Sequence, residues 1–263
     1  MNWDGIVGNI WKIIKNLDIK SKKRVGGRAM VVKYRVVAEQ MEKEFIEGKF
    51  HSHAKLPTEE ELMKQFDVSR NTIRKAIEVL VDAGYIYQVQ GSGIFLREFS
   101  KPGCIPIKGM KGLTASFPED ELKSELIDLN LLDADEEIAH KMKCKIGTKI
   151  YHVKRVRYLN GETIAVEESF FNKDIIPYLN KEICESSIYK YIKEDLKLNI
   201  GFADQIIYAE KLSKEEAQLL NLEEDAPTLI IENTVFLNSG VIFDISQGKF
   251  NYKYAKLLSL ATN

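Results

Sequence analysis

Arg70, Asn71, Arg74 and Lys75 fall within six consecutive positions, and no acidic residue lies between Asp67 and Glu78. A guanidinium fork can pair with the two acceptors of a guanine edge in the major groove, and a side-chain amide with adenine. Ser69 and Thr72 add hydroxyls at the same place, and hydroxyls suit phosphate oxygens. A second set lies further along. Arg155 and Arg157 are two residues apart, and Glu167 follows the pair Asn160-Gly161. Two arginines facing one carboxylate can hold an anion with a hydroxylated body. Each set has a plainer alternative. The first would be a solvated helix face, and the second a surface ladder of cross-strand ion pairs. The elements that carry the residues decide between these readings.

Around the first set the punctuation is clear. Val37, Met41 and Phe45 recur every fourth residue and share a helix face, which Gly48 closes. Leu56-Pro57 then precedes Thr58-Glu59-Glu60-Glu61, a capping box that opens a second helix with Leu62 and Phe66 on its apolar side. Ser69 is an N-cap type for a third helix. Ile73, Ile77 and Leu80 form its buried stripe and Gly84 stops it. Arg70, Asn71, Arg74 and Lys75 are left outside or near the N-terminus. The period then changes to that of strands. Tyr85–Val89 and Ile94–Leu96 flank Gln90-Gly91-Ser92-Gly93, which predicts a hairpin. Tyr85, Tyr87 and Phe95 are read as its core side chains. Three helices and a hairpin in this order predict a winged helix-turn-helix over 30–98. In such a motif the N-terminal residues of the recognition helix reach base edges.

The residues that carry this pattern resemble the DNA-binding domain of the GntR superfamily of bacterial transcription regulators. They are Leu56–Leu62, Phe66–Ile77, Gly84-Tyr85-Ile86 and Gln90–Phe95. The resemblance runs through about 33–97. It implies that Arg70 and Arg74 read an operator with support from Thr72, and that Gln90 and Gly91 at the wing tip enter the minor groove. Ser69, Asn71, Lys75, Ser92 and Gly93 complete the expected contact surface with double-stranded DNA. One departure stands out: Glu60 occupies a position where many members carry a basic residue.

Residues 99–112, with Pro102-Gly103, Pro106, Gly109 and Gly112, predict a linker. Beyond it, 113–263 mixes strands with helices. Ile150–Tyr158 alternates as a strand, Asn160-Gly161 turns it, and Thr163–Phe171 returns. A helix is expected over Lys211–Leu220 with Ser213 as its cap. Thr228–Leu237 and Val241–Ser246 predict another hairpin. The fold class expected for the whole chain is α+β, with an antiparallel sheet in its second domain.

This second domain is similar to the UTRA effector domain of HutC-type GntR regulators, which has a chorismate-lyase-like fold. The resemblance rests on Leu113–Asp120, Arg155-Val156-Arg157, Asn160-Gly161-Glu162, Ala165-Val166-Glu167 and Ser187-Ile188-Tyr189. It implies an effector pocket lined by Arg155, Arg157, Glu167 and Ser187. A loop at Ser116, Phe117 and Pro118 would close over an anionic group. Asp244 and Phe250 match positions that are Glu and Tyr in amino-sugar-phosphate sensors. Asp244 is one methylene shorter, Phe250 has no hydroxyl, and Pro118 has neither hydroxyl nor N–H. The resemblance therefore implies a different ligand or a weaker phosphate clamp.

Composition bounds the rest. The chain has 263 residues, 44% hydrophobic and 29% charged, with 38 basic against 39 acidic side chains. Global disorder and a whole-protein basic field are both excluded. Three cysteines without a C-x-x-C pair suggest neither disulfides nor a thiol metal site, and point to a cytoplasmic setting. Nothing suggests a cofactor, a metal or a membrane partner. Residues 1–29 hold seven basic and two acidic residues. They are read as a DNA-touching arm, as a loose extension, or as non-native sequence ahead of a translation start at Met30. The function expected is that of a homodimeric repressor, released from DNA by a small anionic effector such as a sugar phosphate. Alternatives are a constitutive DNA binder with a degenerate sensor domain and, less favoured, a lyase-like enzyme.

Overall fold

The computed structural model describes residues 33–101, 103–107, 113–116 and 122–261. The extension over 1–29, Met30, Pro102 and residues 108–112 of the expected linker, Phe117 and Pro118 lie outside these residues, and Ser116 is placed only as the end of the short helix α4 (Leu113–Ser116). Two compact units are present. Among the described residues the first runs to Leu80 and includes Gln88–Leu96, and the second holds Val81–Tyr87 and all from Arg97 onward.

The first unit opens with α1 (Lys33–Ile46), which buries Val37, Ala38, Met41 and Phe45. α2 (Glu59–Phe66) begins at the expected capping box. The Thr58 N–H donates to Glu61 Oε2 at 2.7 Å, and the Glu61 N–H donates to Thr58 Oγ1 at 3.3 Å. Two orphan donors of the first turn are thus satisfied by side chains. Asp67 ends the helix in the left-handed region, with φ 50°. α3 (Arg70–Asp82) follows and buries Ile73, Ala76, Ile77 and Leu80. β1 (Ile86–Val89) and β2 (Gly93–Leu96) form the hairpin. Gly91 and Gly93, at φ +76° and +119°, adopt backbone that side-chain-bearing residues rarely tolerate. The segment before α2 borders β2, with the Leu56 N–H donating to Ile94 O at 2.8 Å.

The second unit is built on a six-stranded antiparallel sheet. Its strands are β4 (Leu122–Asp133), β5 (Lys149–Leu159), β6 (Glu162–Asn172), β7 (Ile200–Lys211), β8 (Pro227–Leu237) and β9 (Ile242–Asn251). Their order is β4-β5-β6-β9-β8-β7. β3 (Ile105–Pro106) and β10 (Leu257–Leu258) form a separate short parallel pair. Asn160 and Gly161 both take positive φ, 52° and 87°, as the tight turn between β5 and β6 requires. The turn pairs Leu159 with Glu162, and a bulge between Arg157 and Tyr158 then shifts the register by one, so that Arg155 faces Glu167.

Two-residue alternation sorts the sheet into two faces. On one face, Val153, Phe171 and Val235 pack with Cys184 of α6 (Lys181–Glu185) and with Ile188 and Ile192 of α7 (Ile188–Glu194). On the other face, Ile150 and Ile245 meet Ala139 and Met142 of α5 (Glu136–Met142), and Val156 and Val166 meet Ala217 of α8 (Lys214–Leu219). The helix expected from Lys211 starts three residues later, because Lys211 closes β7 and Ser213 caps α8 through the Glu216 N–H at 3.4 Å.

Candidate functional site

Burial of the apolar stripe of α3 turns its polar residues outward. Ser69, Arg70, Asn71, Arg74 and Lys75 are exposed and Thr72 is half-buried. Ser69 Oγ accepts from the Thr72 N–H at 3.4 Å and lies 3.0 Å from Thr72 Oγ1, so the two hydroxyls sit together at the helix N-terminus. Gln90, Gly91, Ser92 and Gly93 are all exposed at the hairpin tip. Lys75 is partly engaged, its Nζ lying 6.0 Å from the centre of the Tyr34 ring.

The arginines have partners that the linear reading missed. Arg74 Nε donates to both oxygens of Glu59 at 3.1 Å. Arg70 Nη2 donates to Glu60 Oε1 at 3.1 Å. A search for acids between Asp67 and Glu78 could not find these, because they arrive from α2. Among the described residues, the bonds of Arg74 use Nε alone. Its two terminal nitrogens remain available for the bidentate edge of a guanine.

The other set converges on a cavity of about 150 Å³ in the second unit. Arg155, Arg157, Glu167, Ser187, Asp244 and Phe250 all line it. The Arg–Glu group is no surface ladder. Arg157 is 2% exposed, Arg155 8% and Asp244 1%. Arg155 Nη2 and Arg157 Nη1 both donate to Glu167 Oε2, at 2.7 and 3.1 Å. Arg155 Nη1 also donates to Cys184 O at 2.8 Å, and Arg157 Nη2 to Thr114 Oγ1 at 2.8 Å. Burial opposes ionisation of Glu167, but the two guanidinium charges outweigh it and hold its carboxyl below the ordinary value.

Asp244 lies under a different balance. Burial pushes its carboxyl up to about 7, although the Tyr189 hydroxyl, Arg155 and the nearby Ser246 hydroxyl favour the charged form. Tyr189 Oη donates to Asp244 Oδ2 at 2.8 Å. Three buried polar atoms have no hydrogen-bond partner of ordinary geometry among the described residues: Arg155 Nε, Arg157 Nε and Asp244 Oδ1. Leaving such an atom unpaired costs about 1–3 kcal/mol. All three belong to residues lining the same cavity.

Two expected residues have additional local roles. Ser187 Oγ accepts from the Lys190 N–H at 3.3 Å and so caps α7. The Phe250 ring folds over Gly248, where an added Cβ would come within 3.0 Å of Cε2. Thr114, Tyr189, Ser169 and Asn233 also line the cavity and were not expected there. Glu167, Ser169 and Phe171 alternate along β6, and extending that inward stripe would have found Ser169. Nothing local marks Thr114 or Asn233. Among the described residues, no group of three or more His, Cys, Asp or Glu could hold a metal ion. No helix of these residues is long and apolar enough to cross a membrane.

Comparison with known proteins assigns a family to each half of the chain. Residues 33–96 match the family of bacterial regulatory proteins, gntR family, and residues 119–255 match the UTRA domain. The HTH-type transcriptional regulator YydK of Bacillus subtilis is 38% identical over 89% of this chain and 99% of its own. Its crystal structure superposes with a TM-score of 0.73, covering 88% of this chain and all of that one. The transcriptional repressor NagR of the same organism is 33% identical over 80% of this chain and 87% of its own. The regulator TreR, also of B. subtilis, is 31% identical over 82% and 90%. The chain belongs to the HutC-type GntR regulators, which join a helix-turn-helix domain to a UTRA effector domain. It is a DNA-binding, ligand-responsive transcriptional regulator, and its relatives' names describe transcriptional regulators.

Proposed function

We propose that this chain is a homodimeric repressor released from operator DNA by a small hydroxylated anion of the sugar-phosphate class. The observation that carries the effector reading is the trio of unpaired buried atoms around one cavity. Two are N–H donors and one is a carboxyl oxygen. A ligand with acceptors for the arginines and a hydroxyl for Asp244 would satisfy all three. Arg155 and Arg157 carry two positive charges against Glu167 and an Asp244 carboxyl that burial pushes up to about 7, so near neutral pH these groups keep a net positive charge, which favours a ligand with negative charge. We read these groups as binding the ligand rather than transforming it. On the DNA side, two copies would present two α3 helices to a pseudo-palindromic site. Effector binding would favour a dimer whose helix spacing no longer fits.

The test is fluorescence anisotropy on a duplex selected by the protein from a randomised pool. Sugar phosphates, their parent sugars and inorganic phosphate are titrated into the complex. Release by a sugar phosphate, lost in Arg155→Ala, supports the reading. No release by any sugar phosphate, with tight DNA binding intact, would overturn it in favour of a constitutive binder.

A further inference from the structure

Glu60, in the first turn of α2, lies beside the N-terminus of α3. Glu60 borders a surface depression with Lys64, Ser69, Arg70 and Thr72. The N-terminus of a 13-residue helix opens there, with two hydroxyls and the cationic Lys33, Lys64 and Arg70 beside it. Each of these groups suits a phosphate. Glu60 and Asp67 are the exceptions, and Glu60 takes Arg70 Nη2 at 3.1 Å.

Fold stability does not account for Glu60. The α2 capping box is made by Thr58 and Glu61, and Glu59 already supplies a carboxylate to Arg74 and, at 3.7 Å, to Arg70. The side chain of Glu60 is 72% exposed and that of Arg70 52%, and exposed pairs stabilise little. Its effect on DNA is larger in principle. A phosphate carries negative charge and is repelled by Glu60 while competing with it for Arg70. The O6 and N7 of guanine are uncharged acceptors and suffer no such repulsion.

We propose that Glu60 is a specificity-determining residue: it withholds Arg70 from DNA phosphates, weakening binding to arbitrary sequence more than binding to the operator. The proposal rests on α3 occupying the major groove.

The test compares the full-length chain with Glu60→Gln on two duplexes, one selected from a randomised pool and one of random sequence, across a KCl series. Glu60→Gln is expected to tighten binding to the random duplex by about twofold to fivefold. The log–log salt slope on that duplex steepens by up to about 0.9, the value of one added phosphate contact. The selected duplex changes less, so the ratio of affinities falls. Glu136→Gln, an exposed site in the second unit with the same charge change, should leave the ratio unaltered. Equal tightening on both duplexes, no change on either, or the same effect from Glu136→Gln would overturn the proposal. Arg70→Ala separates the two ways of failing. If it leaves DNA binding intact, the placement of α3 is wrong and the proposal falls with it. If it weakens binding while Glu60→Gln alters both duplexes alike, only the role of Glu60 is lost.

Discussion

The Tyr189 hydroxyl donates to Asp244 Oδ2 at 2.8 Å, and the carboxyl it meets is 1% exposed. Tyr189 comes from α7 and Asp244 from β9, so the bond ties a helix to the sheet beneath the cavity. Burial pushes Asp244 up to about 7 and drives the Tyr189 hydroxyl well above its ordinary value. A carboxyl raised in the folded chain binds protons that the unfolded chain releases near pH 4. Its contribution to stability is thus full below about pH 4 and is lost as pH rises through about 7. Thermal melts from pH 5 to 8 should show a steeper loss for the wild type than for Asp244→Asn. Parallel curves would show that Asp244 does not titrate in this range.

Arg157 is the more deeply buried of the two guanidinium groups, and it bonds both Glu167 and Thr114. Arg157→Ala leaves Glu167 with one cation instead of two and strands the Thr114 hydroxyl. Removing one partner of a buried pair costs about 3–5 kcal/mol. Urea unfolding followed by circular dichroism should place the loss in that range. A loss under about 1 kcal/mol would mark the group as solvent-compensated.

Arg74 offers its terminal nitrogens to DNA while Glu59 holds its Nε. Arg74→Ala should cost roughly 1–3 kcal/mol on a selected duplex if it reads a base. The measurement that decides is the same titration on random-sequence DNA. A base contact loses little there, whereas an equal loss on both duplexes marks a backbone contact.

The Thr58 capping box orders the first turn of α2, from which Glu59 and Glu60 reach the arginines. Thr58→Ala should destabilise the DNA-binding unit by about 1 kcal/mol. It should also weaken binding to a selected duplex, because the carboxylate that orients Arg74 loses its anchor. A variant that melts earlier but binds DNA normally would confine the cap to a structural role.

The sequence by itself determined the DNA-binding half. Caps at Thr58 and Ser69, three- and four-residue spacing in α1 and α3, and glycines at the hairpin tip act over a few residues each. They define helices, turns and outward faces without help from distant chain. Asn160-Gly161 fixed the tight turn, but counting back from it pairs Arg155 with Val166; the bulge between Arg157 and Tyr158, which no local spacing announces, moves the partner to Glu167. Only the tertiary structure decided that this pair is buried, and that Thr114, Tyr189 and Asp244 meet around it. Those side chains come from separate elements, and no local spacing encodes which strands become neighbours. Edge strands β4 and β7 also escaped the reading. Among the described residues no strand lies beyond them and much of each is exposed, and β7 in particular lacks the clean alternation that one buried face imposes. The acids holding Arg70 and Arg74 were equally invisible, since they lie ten and fifteen residues upstream and become neighbours only when α2 packs beside α3.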